Sequence, residues 1–151
     1  MLRHAKVTRI SSKYQHPVIL FDGVCNLCAR SVQLVIRNDR DSLFRFASLQ
    51  SDVAQDLLQE FEFQHNGLSS MLLIMDGRRY RKSRAALTIA RHMDKLWPSL
   101  YYLLVWIPRF ITDPVYDFIG SRRYRWFGKK ESCWIPDDKL LARFLPGGIP
   151  E

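Results

Sequence analysis

The 151 residues, 47% hydrophobic and 25% charged, suit one hydrophobic core and exclude disordered, collagen-like and solenoid classes. Three cysteines are too few for a disulfide scaffold, so a close pair reads as catalytic or metal-binding in a reducing, cytoplasmic compartment. The formal charge of +8 directs attention to acidic partners.

Residues 1–16 are basic, carry no acid and contain no apolar run of signal-peptide length. They read as a lead-in to one domain over 17–151, with a transit peptide as the alternative. Val18 to Phe21 is an apolar strand stopped by Asp22-Gly23. Cys25, Cys28, Val32, Val35 and Ile36 then share one face of a helix, which puts "CNLC" at a strand-to-helix junction. "LFRFASL" predicts a second strand around Phe44 and Phe46. Ser51 caps a helix burying Val53, Ala54, Leu57, Leu58 and Phe61. "MLLIMDGRRYRKS" predicts a buried strand, an Asp76-Gly77 turn and a polar return strand. Ser83 is expected to cap a helix with Ala86, Ala90, Met93 and Trp97 on one face, stopped by Pro98.

Strand, helix, strand, helix, hairpin and helix in this order predict an α/β fold: a small mixed sheet flanked by helices, the element order of thioredoxins. From about residue 99 the chain becomes a helical extension. "SLYYLLVWIPRFI" is too short to span a bilayer and reads as a core helix, with an interfacial membrane helix as the sharper alternative. Asp113-Pro114 is expected to start a further helix ending near Gly120, and Asp137 to Phe144 a final one. "RRYRWFGKK", Arg122 to Lys130, reads as a helix end with cations at the negative dipole pole and aromatics packed inward. Its alternative is a basic aromatic surface for nucleic acid or an anionic membrane.

A Cys-x-x-Cys at a helix start suits a dithiol. Unpaired amides and the positive dipole end favour a thiolate on Cys25, the nucleophile of disulfide exchange, and Cys28 lies one turn on, able to resolve the mixed disulfide. Asp22 stands three residues before Cys25. Its carboxylate would oppose a nearby thiolate, organise the turn, or carry a proton during exchange. Two other readings stay open. One is a pair of buried apolar thiols. The other is zinc held by Cys25, Cys28 and Cys133, although none of His4, His16, His65 or His92 lies at metal-ligand spacing from Cys133.

"DGVCNLC" also fits the Asp-x-x-Cys-x-x-Cys motif of the DCC family of thiol-disulfide oxidoreductases. "MLLIMDGRRYRKSRAAL" resembles that family's hairpin and Ser-started helix, and "YDFIGSRRYRWFGKKESC" its C-terminal segment with an Arg-Tyr pair and a late Cys. The resemblance covers about residues 17–133. It implies a thioredoxin-like fold, protein-disulfide reductase or exchange activity, catalytic Cys25 and Cys28, and Asp22 as the motif acid. The dithiol reading needs no tightly bound cofactor and no catalytic metal, and it expects a disulfide-bearing protein or small thiol as substrate and another thiol system as electron donor. Nucleic acid is the poorer partner, and peripheral membrane contact is an option. Where thioredoxins place a cis-proline, this chain has Ser69-Ser70, so a trans bond and a different substrate platform are expected.

Overall fold

The computed structural model describes residues 16–63, 71–129, 131 and 134–149. Ser69-Ser70 and Cys133 therefore lie outside the described residues. Four strands, β1 (Val18–Phe21), β2 (Arg45–Ser48), β3 (Leu72–Met75) and β4 (Arg78–Arg81), form one sheet in the order β2-β1-β3-β4. β1 runs parallel to β2 and antiparallel to β3, and β3 pairs antiparallel with β4. Every β1 side chain is buried, as a central strand covered on both faces requires. The β3–β4 hairpin turns at Asp76-Gly77, both with positive φ, as the tight turn demands.

Helices α1 (Asn26–Asn38) and α3 (Lys82–Arg91) cover one face, and α2 (Asp52–Glu60) covers the other. Alternation along β1 divides the core accordingly. Ile19 and Phe21 pack with Cys28, Val32, Val35 and Ile89, while Val18 and Leu20 pack with Ala54, Leu57 and Leu58. The arrangement is a thioredoxin-like α/β fold, as the element order predicts. Ser51 caps α2 by accepting from the Ala54 amide.

The last third departs from its predicted boundaries wherever proline is involved. α3 ends at Arg91, and Pro98 lies in the first turn of α4 (Trp97–Leu104) instead of ending a helix. Pro108 caps α5 (Arg109–Phe127), a single helix containing both Pro114 and Gly120. Asp113 is therefore not a cap. Its carboxylate instead accepts from the hydroxyl of Ser83, so neither residue caps its own helix and the pair ties α3 to α5. A short α6 (Asp138–Leu141) follows.

The core-helix reading of residues 99–111 fails. α4 buries none of its residues, and Trp106 in the elbow after it is 86% exposed. Among the described residues, no helix is long and apolar enough to cross a membrane.

Candidate active site

β1 delivers Asp22 at its C-terminal end, at the point where the sheet switches from a parallel to an antiparallel neighbour. Such ends collect functional groups in open α/β sheets. The turn is tied down locally: the Cys25 amide donates to the Asp22 carbonyl, and the Val24 amide to Asp22 Oδ1. Cys25 then occupies the N-cap of α1, and its Sγ accepts from the Cys28 amide at 3.3 Å. Sulfur here takes the place of the hydroxyl or carboxylate oxygen that usually caps a helix. The structure thus brings Asp22, Cys25 and Cys28 together, with both cysteines as free thiols.

Asp22 is far more engaged than a turn-former needs to be. Besides Val24, Gln50 Nε2 donates to Oδ1 at 2.8 Å, while Arg123 Nη2 (2.9 Å) and the Tyr124 hydroxyl both donate to Oδ2. These four donors fill its acceptor capacity. Arg123 and Asp22 are both buried, forming an ion pair beneath the dithiol. Tyr124 also receives Arg123 Nη2, and the guanidinium lies 4.7 Å from its ring centre. Burial, then the hydrogen bond to Asp22, raises the Tyr124 hydroxyl above its ordinary range.

These partners revise the reading of "RRYRWFGKK". The segment is a helix end, but Arg123 and Tyr124 turn inward to Asp22 while Trp126 stays exposed. The resemblance pointed at the Arg-Tyr pair, yet its electrostatic partner lies 101 residues away and no local pattern joins them. Gln50 gives no sequence signal at all.

The chain beyond α5 closes over the dithiol. Lys129 forms an isolated antiparallel bridge with Cys25, the Asn26 amide donates to the Gly128 carbonyl, and Asn26 Nδ2 donates to the Phe127 carbonyl at 2.8 Å. Gly128 has φ +85°, and a Cβ there would stand 3.0 Å from Asn26 Nδ2. Gly128→Ala is accordingly expected to cost about 1 kcal/mol or more, because an L side chain is strained at that φ and the contact is tight. The check is urea unfolding together with the alkylation rate of Cys25, which should rise as the closure loosens. An unchanged rate in a destabilised variant would separate the closure from protection of the thiol.

Under this closure Cys25 is 0% exposed and Cys28 8%. Cys28 lies on the wall of an apolar cavity of about 300 Å³, between α1, α3 and α5, lined also by Leu27, Met71, Ile89, Trp97 and Ile119. The Tyr116 hydroxyl holds the entry to β3 there by accepting from the Met71 amide, 3.1 Å away. Burial, followed by the hydrogen bond and charge of Cys25, pushes the Cys28 thiol from 9.0 up to about 12, against the pull of Arg123. The folded chain thus holds this proton more tightly than the unfolded chain does. The resulting stability is complete below about pH 9 and is lost as pH rises from there toward 12. The urea midpoint should fall more steeply over that interval in the native chain than in Cys28→Ala. Parallel curves would remove Cys28 from the alkaline transition.

Among the described residues, no three His, Cys, Asp or Glu side chains gather where they could hold a metal ion.

The DCC1-like thiol-disulfide oxidoreductase family matches residues 19–129, from within β1 through the dithiol to the closure at Lys129. The chain belongs to that family. It is 43% identical over 136 residues to the uncharacterized protein YuxK of Bacillus subtilis (strain 168), covering 90% of this chain and 98% of that one. It is 38% identical over 119 residues to a chloroplastic DCC family protein of Arabidopsis thaliana, covering 79% of this chain and 69% of that one. No solved structure matches it significantly.

Proposed function

We propose that this DCC family member is a thiol-disulfide oxidoreductase that reduces or exchanges disulfides through Cys25 and Cys28 in a reducing compartment such as the cytoplasm. The observation that carries this reading is the Cys28 amide on Cys25 Sγ at the N-terminus of α1. That is the setting in which cysteines react as thiolates. Cys25 attacks one sulfur of the substrate disulfide, forming a mixed disulfide and expelling the other sulfur as a thiolate. While Cys25 is so bound, its hydrogen bond and charge no longer hold the Cys28 proton. Burial still does, and Arg123 opposes it. The departing thiolate takes that proton. Cys28 then attacks Cys25 Sγ, releasing the second substrate thiol and leaving a Cys25–Cys28 disulfide. Two electrons pass to the substrate, and a second thiol system returns them. No bound cofactor takes part. Asp22, saturated by four donors, acts as the anchor of the turn and not as a proton carrier.

Because Cys25 is enclosed, a protein disulfide gains access only when Gly128 and Lys129 part from Asn26 and Cys25. The cavity beside Cys28 would receive the substrate's apolar neighbours. The test is a redox titration read by thiol alkylation and intact mass. It should show one reversible two-electron couple confined to Cys25 and Cys28. Thiols no faster than ordinary cysteine, or a tightly held zinc lost in Cys25→Ser, would overturn the proposal.

A further inference from the structure

Among the described residues, exposed large hydrophobic side chains concentrate on α4, α5 and the elbow between them. Leu103 (71% exposed), Trp106 and Phe110 (77%) stand out at the elbow, and Ile111, Phe118 and Trp126 continue the surface along α5. Isolated exposed hydrophobics need no explanation, but a run of this kind marks a surface built to be covered.

Charge narrows what covers it. Lys95, just before α4, and Arg109, Arg122 and Arg125 on α5 are exposed. Of the nearby carboxylates, Asp94 pairs with Arg40 and Asp117 with Lys82, while Asp113 keeps its charge under a hydrogen bond from the Ser83 hydroxyl and offsets only part of the excess. The face is therefore positive as well as apolar. Arg122 shows how the two properties coexist, its guanidinium lying 4.6 Å from the Phe118 ring centre and 6.0 Å from that of Trp126. An aromatic bed beneath a cation lets the apolar parts sink while the charge stays at headgroup level.

We propose that α4 and α5 dock this protein on an anionic membrane surface, with the Trp106–Phe110 elbow inserted at the headgroup–acyl boundary and the flanking cations on lipid phosphates. The chain lies on the bilayer and does not cross it. Asp113 and Asp117 break the apolar run of α5, and no described helix has the length and hydropathy to span. A second copy fits less well, because a two-fold contact through this face would set its positive charge against itself. Nucleic acid would use the cations and aromatics but leaves Leu103 and Ile111 without a partner.

The test is co-sedimentation of the full chain with vesicles of phosphatidylcholine alone and of phosphatidylcholine with phosphatidylglycerol. Binding is expected on the anionic vesicles, weakened by salt and much weaker on the neutral ones. Trp106→Ser and Phe110→Ser should each lower the affinity about tenfold, with unfolding temperature and cysteine alkylation unchanged, because both side chains are free of the core. Absence of binding to anionic vesicles, or full affinity in both variants, overturns the proposal. So does a dimer abolished by Trp106→Ser without vesicle binding, which assigns the face to a second copy. Oligonucleotide binding that Arg122→Gln weakens and Trp106→Ser leaves intact, without vesicle binding, overturns it in favour of nucleic acid.

Discussion

Asp22→Ala should destabilise the protein by about 3–5 kcal/mol, the cost of leaving one member of a buried ion pair without its partner. The stranded group is Arg123, whose guanidinium is 4% exposed and whose Nε already has no acceptor among the described residues. The loss extends beyond one pair, since Val24, Gln50 and Tyr124 also surrender their acceptor. Against the 5–15 kcal/mol that stabilises a typical domain, this is a large share. Arg123→Leu should cost a similar amount by the converse route. The double variant should lose clearly less than the sum of the two, because an uncharged pocket holds no stranded ion. Urea unfolding of the four proteins measures this directly. A loss below about 1 kcal/mol in Asp22→Ala, or strict additivity, would falsify the view that this cluster fastens α5 to the sheet.

The second large effect concerns the order of the two sulfurs. In Cys28→Ser the first half of the exchange proceeds and the second cannot, so a covalent adduct with substrate should accumulate to about one per chain. Cys25→Ser should form essentially none, since burial, the largest cause holding the Cys28 proton, remains when Cys25 is gone. Intact mass under non-reducing conditions, with dithiothreitol release as the control, reads both. Equal adduct in the two variants would sink the assignment and make Cys28, the sulfur on the cavity wall, the group that meets the substrate.

The parts of this fold that short-range pattern determines were legible before the structure was. Cys25 and Cys28 at the start of α1, the Ser51 cap and the Asp76-Gly77 turn depend on neighbours within a few positions. Proline misled at 98 and 114, because the residue that ends one helix is equally fitted to stand in the first turn or the middle of another. Only packing decides which. The run from Ser99 to Ile111 looked like core because it is apolar on nearly all sides. Yet the sheet face it would have covered is already occupied by α1 and α3, so it faces outward. The partners of Asp22 were hidden for a different reason: a buried ion pair is a relation between distant positions and leaves no mark on periodicity.

That distance also gives the site a chronology. A ribosome completes the Asp22–Cys28 loop some hundred residues before it makes Arg123 and Lys129, a gap of roughly 5–20 s at ordinary elongation rates. Through that interval the nascent dithiol has neither its guanidinium nor its roof, and both thiols stand open to any oxidant or disulfide that passes. The newborn chain and the finished one therefore differ in thiol accessibility.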